Sequence, residues 1–206
     1  MSEMNSLLQK KETVRAISAG GITLALAEVL SLLKVYEMPQ GGSVTPASML
    51  PVILFGLCFG PVWGFGVAFG YSLLQMMIGG YIIGPIQAIC DYTLAFSILG
   101  ISGLFAAKKE IRIRDSFFLG RLRYIPFWKI FAATILGISG RLVFATISGV
   151  VFFSEYVSAG QSVLGYSLGY NASYLAVEAA ITVAALLALS GVIRHVPESR
   201  SRASKQ

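Results

Sequence analysis

Hydrophobic residues run along this chain in six blocks, separated by short polar or Gly-Pro breaks. The blocks cover residues 14–35, 46–59, 62–78, 85–107, 130–153 and 166–193. All but the second approach or exceed the roughly 20 apolar residues that an α-helix needs to cross a bilayer. No run of about ten residues alternates strictly between apolar and polar, as a transmembrane β-barrel strand would. The pattern predicts an all-α membrane protein with six transmembrane helices. Residues 1–193 would form one helical domain, and residues 194–206 a basic cytoplasmic tail.

Composition strengthens that reading. The chain has 206 residues, 55% hydrophobic and 13% charged, against roughly 25% charged in soluble domains. The net charge of +6 raises the question of nucleic acid. Its distribution answers it. Fourteen of the sixteen Lys and Arg residues fall in the head, in the stretch 108–129 or after residue 193. Bases gathered in alternate connections are the positive-inside signal for membrane topology. Both termini and the 108–129 connection are therefore expected in the cytoplasm. The outward connections 36–45, 79–84 and 154–165 carry only Glu37 and Glu155. Cys58 and Cys90 sit in apolar blocks and read as packing residues. The head lacks the short apolar core and cleavage site of a removable signal peptide.

A carboxylate inside an apolar block is costly, about 2.5–3.5 kcal/mol on insertion scales, and is seldom idle. Asp91 is such a group, with Tyr81, Gln87 and Tyr92 close in sequence. It reads as the floor of a pocket for a small cationic ligand. The competing reading pairs it with Arg141, although the two fall at different depths. Tyr166 and Tyr170 lie four residues apart on one helix face, with Asn171 beside them. They read either as interfacial anchors or as pocket walls, and the Asn171 amide should face the bundle interior. Glu178, two turns deeper, is open between a pocket acid, a proton-linked group and a packing contact. Glu28 lies in the middle of the first block and has no evident role. Gly21 and Ala25 form a small-xxx-small pattern, which permits close helix approach.

Several classes are excluded. No GxxxxGK[ST] motif is present, so the chain binds no ATP through a P-loop. HExxH and CxxC are absent, and the one histidine, His195, lies in the tail beyond the last block. No nucleophile–base pair, metal-ligand cluster or cofactor motif supports an enzyme.

Four segments in register carry a resemblance along nearly the whole chain: MPQGGSVTPASMLP (38–51), YIIGPIQAICDY (81–92), ISGVVFFSEY (147–156) and YSLGYNASY (166–174). Together they resemble the thiamine-specific substrate-binding S component of energy-coupling factor transporters. The resemblance implies a six-helix subunit that captures the vitamin with high affinity at the outer face. It also implies work with a transmembrane coupling subunit and two cytoplasmic ATPases, and needs no cofactor. The ligand contacts it implies are Tyr81, Asp91, Tyr92, Gly149, Phe153, Tyr166 and Asn171. Gly21 and Ala25 would face the coupling subunit, and the 38–44 segment would act as a lid. A carboxylate and aromatic faces suit a cationic thiazolium, at about 0.5–2 kcal/mol per ring contact. An Asn amide can both donate to and accept from a pyrimidine edge.

Two positions depart from the family pattern. Ala145 stands where the family usually has a histidine, and Phe153 where the stacking residue is often tryptophan. The usual basic residues between the second and third blocks are also absent. Alternatives therefore stay open: an S component for a thiamine precursor or another heterocyclic vitamin, or a stand-alone ion-coupled carrier using Asp91 and Glu178.

Overall fold

The computed structural model describes residues 2–78, 80–114 and 117–195, and within them the chain is a helical bundle. Of the tail expected at 194–206, Arg194 and His195 continue the last helix, and residues 196–206 lie outside the described residues. Helix α1 runs Ser2–Leu32 and begins a dozen residues before its apolar block. A two-stranded hairpin follows, β1 (Tyr36–Glu37) and β2 (Ser43–Val44), paired antiparallel with Tyr36 opposite Val44. Two-residue strands leave no hydropathy pattern, so the hairpin is invisible in the sequence. Helix α2 (Leu50–Phe59) has Pro51 in its first turn, where a missing N–H costs nothing.

The chain turns at Gly60, with φ of 89°, into α3 (Pro61–Ile78). Helix α4 spans Pro85–Phe105. It is π-helical over Ile89–Leu94 and tightens to 3₁₀ over Ile98–Phe105. The short α5 (Lys109–Arg114) precedes a 3₁₀ turn at Phe118–Tyr124. Two long helices complete the fold, α6 (Phe127–Phe152) and α7 (Val163–His195).

Helices α1, α3, α4, α6 and α7 are long and apolar enough to cross a membrane. Helix α2 is short but wholly apolar, and Val52, Leu57 and Cys58 in it are fully buried. Outward-facing Ile17, Val29, Phe69, Phe131, Val143 and Val151 are exposed, as lipid-facing positions should be. Close helix approach rests on missing side chains at two positions in α4. A Cβ on Gly100 would lie 2.6 Å from the Phe65 backbone, and one on Gly103 2.6 Å from Pro61.

The basic 108–129 connection does more than signal topology. Arg121 is fully buried, and its guanidinium donates to both Glu12 carboxylate oxygens at 2.8 and 2.7 Å, to the Cys58 carbonyl at 2.9 Å and to the Arg112 carbonyl at 2.6 Å. It thereby fastens the head of α1 to the end of α2. Arg194 closes the other side, donating to the Ile125 carbonyl at 2.6 Å and lying 4.1 Å over the Phe127 ring. These bases are structural fasteners at one end of the bundle.

Candidate ligand cavity

At the opposite end, a cavity of about 480 Å³ opens under the hairpin. That lies within the usual range for small-molecule sites, about 300–1,000 Å³. All seven residues named above from the resemblance line it: Tyr81, Asp91, Tyr92, Gly149, Phe153, Tyr166 and Asn171. They come from α4, α6 and the turn that ends it at Phe153, α7 and the loop before α4, so helix packing and not sequence proximity brings them together.

Asp91 sits in the π-helical turn of α4, where Ala95 N–H reaches back five residues to the Cys90 carbonyl. In an ordinary α-helix, neighbours diverge by about 100°. The wider turn narrows that angle, and both Asp91 and Tyr92 reach the cavity. The Asp91 Oδ2 accepts from Gln87 Nε2 at 2.6 Å. Gln87 is almost fully buried and also ties down the preceding loop. Its Nε2 donates to the Tyr81 carbonyl at 3.0 Å, and its Oε1 accepts from Ile83 N–H at 3.2 Å. Tyr92 accepts the Tyr81 N–H on its hydroxyl at 2.6 Å, and its ring stacks on Phe96 at 6.3 Å and 9°. One amide and one phenol thus fix the loop carrying Tyr81 against the acid.

At the rim, the Phe153 ring stands 6.1 Å from both Tyr81 and Tyr156. A hydrogen bond with Tyr81 holds the exposed Tyr156 hydroxyl above its ordinary value. On α7, Tyr166 and Tyr170 stack at 6.1 Å and 29°, so the helical spacing does put them on one face.

Asn171 does face the interior. Its Nδ2 donates to the Ser167 carbonyl at 2.9 Å and the Ala145 carbonyl at 3.3 Å, while its Oδ1 accepts from the Tyr174 hydroxyl at 2.9 Å. Both amide protons are therefore engaged within the protein, and Oδ1 keeps an open lone pair. Gly149 is needed for packing as well as for the wall, because a Cβ there would collide with Ser167 Oγ.

The hairpin roofs the cavity with Met38 to Ser43. Its tip turns at Gly41 (φ 88°) and Gly42 (φ 86°), a left-handed backbone that L side chains resist. Three residues of α7, spaced four apart on one face, hold it down. The Tyr170 hydroxyl accepts from Gln40 N–H and donates to the Gly41 carbonyl, both at 2.9 Å. The Tyr174 ring lies under Gly42, 2.7 Å from where a Cβ would be. Glu178 Oε1 accepts from the Thr45 N–H and from Thr45 Oγ1, the latter at 2.5 Å. Of the three readings open for Glu178, packing fits best, since it is buried beneath the roof and does not line the cavity.

The sequence left three further lining residues without a site role. Glu28 and Gln75 form part of the wall made by α1 and α3, and Arg141 lines the cavity one turn before Ala145. Glu28 and Arg141 are charged groups inside apolar blocks, and that was the available signal. Lys34 and Glu37 pair at 2.6 Å at the mouth. Among the described residues no cluster of three or more metal-ligating side chains occurs.

These features define a multi-pass helical membrane protein with a roofed polar cavity. The family model described as thiamine transporter protein (Thia_YuaJ) matches residues 17–196. A thiamine transporter ThiT from Bacillus subtilis is 34% identical over 170 residues, covering 81% of this chain and 85% of that protein. ThiT from Lacticaseibacillus paracasei is 26% identical over 164 residues, covering 76% of this chain and 79% of its own length. A solved structure of ThiT from Listeria monocytogenes superposes with a TM-score of 0.72 at 23% identity, covering 87% of this chain and 95% of that one. The chain belongs to the thiamine transporter protein family. It is a cell-membrane transport protein and not an enzyme.

Proposed function

We propose that the chain captures thiamine as the S component of an energy-coupling factor transporter. The observation that carries this reading is the cavity's formal charge. With Lys34 and Glu37 paired, the remaining charged lining residues are Glu28, Asp91 and Arg141. That leaves one negative charge in excess, the complement of a monocation. Aromatic rings at Tyr81, Tyr92, Phe153 and Tyr166 supply faces for a flat cationic heterocycle. Asp91 neutralises the ligand or accepts from its amine, and Asn171 Oδ1 accepts from the same edge.

Transport needs an energy source, and the chain carries no P-loop. A transmembrane coupling subunit and two cytoplasmic ATPases would provide it. Gly21 and Ala25 are exposed on α1, and a Cβ on Gly21 would meet nothing within 4 Å. That open strip suits the coupling subunit. In this reading six helical segments cross the membrane, and both termini lie on the cytoplasmic side.

Mass spectrometry of the small molecule that leaves the membrane with the purified protein tests the proposal. Thiamine near a 1:1 ratio is the expected result. A different heterocycle would keep the fold's role and change the vitamin. Ion-driven uptake by liposomes holding this chain alone would replace the ATPase-coupled reading with a stand-alone carrier.

A further inference from the structure

The seven residues discussed above occupy the α4, α6 and α7 side of the cavity. The α1–α3 wall has a polar cluster of its own, made of Glu28, Ser31 and Gln75, and all three line the cavity. The hydrogen bonds within this cluster leave one acceptor open. Gln75 spends its two amide protons on Ser31 Oγ at 2.8 Å and Glu28 Oε2 at 3.0 Å. Ser31 has a single hydroxyl proton. It lies 2.8 Å from the Glu28 backbone carbonyl and 3.3 Å from Glu28 Oε1, and the shorter contact takes the proton. Glu28 Oε1 is left with no committed donor, and among the described residues no cation lies within 4.0 Å of the carboxylate.

A carboxylate 9% exposed with lone pairs to spare is an expensive arrangement inside a membrane. Its open positions accept hydrogen bonds and cannot donate them. We infer that Glu28, positioned by Gln75 and Ser31, forms a second subsite that binds the hydroxyl arm of the ligand. The inference rests on the thiamine reading given above. Thiamine carries its amine on one ring and a hydroxyethyl arm on the other. The Asp91–Asn171 side takes the amine-bearing pyrimidine, and the α1–α3 wall takes the arm across the cavity. An acceptor-only wall also discriminates. It favours a neutral hydroxyl, which can donate, and rejects a phosphate ester on the same arm, which brings negative charge against Glu28.

The test compares thiamine, an analogue lacking the arm's hydroxyl, and thiamine monophosphate, by calorimetry on the purified wild type and on Glu28→Gln. The wild type is expected to prefer thiamine to the other two. Glu28→Gln is expected to lose about tenfold for thiamine, to change by less than threefold for the analogue, and to bind the monophosphate more tightly than the wild type does. A gain for one ligand cannot come from misfolding. Equal losses for all three ligands, or unchanged affinity for all three, would overturn the subsite. A wild type that binds no thiamine defeats the functional reading itself. A wild type that binds thiamine while Glu28→Gln leaves the ligand order unchanged defeats this inference alone.

Discussion

Asp91 and Arg141 line one cavity without pairing: among the described residues no carboxylate oxygen lies within 4.0 Å of the Arg141 guanidinium. The guanidinium lies 4.0 Å over the Phe96 ring, and its Nη1 is 3.2 Å from Met49 Sδ. The acid is steadied by a neutral amide, Gln87, and forms no ion pair among the described residues. Had the two paired, the Asp91 carboxylate would be neutralised within the protein and the excess negative charge of the lining would rest on Glu28 alone.

Arg141→Gln should therefore leave thiamine affinity within about threefold of wild type. Removing a like charge offsets the lost stacking on Phe96, which is worth roughly 0.5–2 kcal/mol. Titration calorimetry checks this, and a loss of tenfold or more would mean that Arg141 touches the ligand.

Gly42→Ala should loosen the roof. The new methyl meets the Tyr174 ring, and the left-handed backbone at φ 86° costs a non-glycine residue about 1–2 kcal/mol. Ligand release, followed by stopped-flow fluorescence, is expected to quicken roughly 5–30-fold. An unchanged release rate would separate the hairpin from retention.

Glu178→Ala should cost stability more than it alters ligand contact. It strands the Thr45 N–H and hydroxyl in a buried site, at about 1–3 kcal/mol. Thermal unfolding in detergent should show a lowered midpoint, with Glu178→Gln milder because an acceptor oxygen remains. Equal effects of the two variants would count against the hydrogen-bonded clamp.

Gly149→Ala should disturb the packing of α6 on α7 through Ser167, whose Oγ donates to the Thr146 carbonyl at 2.9 Å. A Ser167→Gly change in the same chain removes the collision and should recover most of the lost thermal stability. Failure of that rescue would place the cost elsewhere.

Much of the fold could be read from hydropathy because a helix that crosses a bilayer needs about 20 mostly apolar residues in a row. Asp91 and Asn171 stood out for the same reason, since polar groups are conspicuous in such blocks. The hairpin did not, because two-residue strands have no period and its stability comes from Tyr170, Tyr174 and Glu178 on a distant helix. Arg121 looked like a topology charge. Only the bundle reveals it as a buried fastener to Glu12, 109 residues away. Glu28 was visible as an anomaly, but its partner Gln75 lies 47 residues on, and no local spacing links them.

The central claim is that the Asp91 carboxylate neutralises a bound heterocyclic cation. Thiamine affinity of purified wild type and Asp91→Asn, measured by calorimetry, tests it most directly. Asparagine keeps the shape and the contact to Gln87 while removing the charge. At least a tenfold loss is expected, about 1.4 kcal/mol, with the variant still folded. Equal affinity for the two proteins would contradict it.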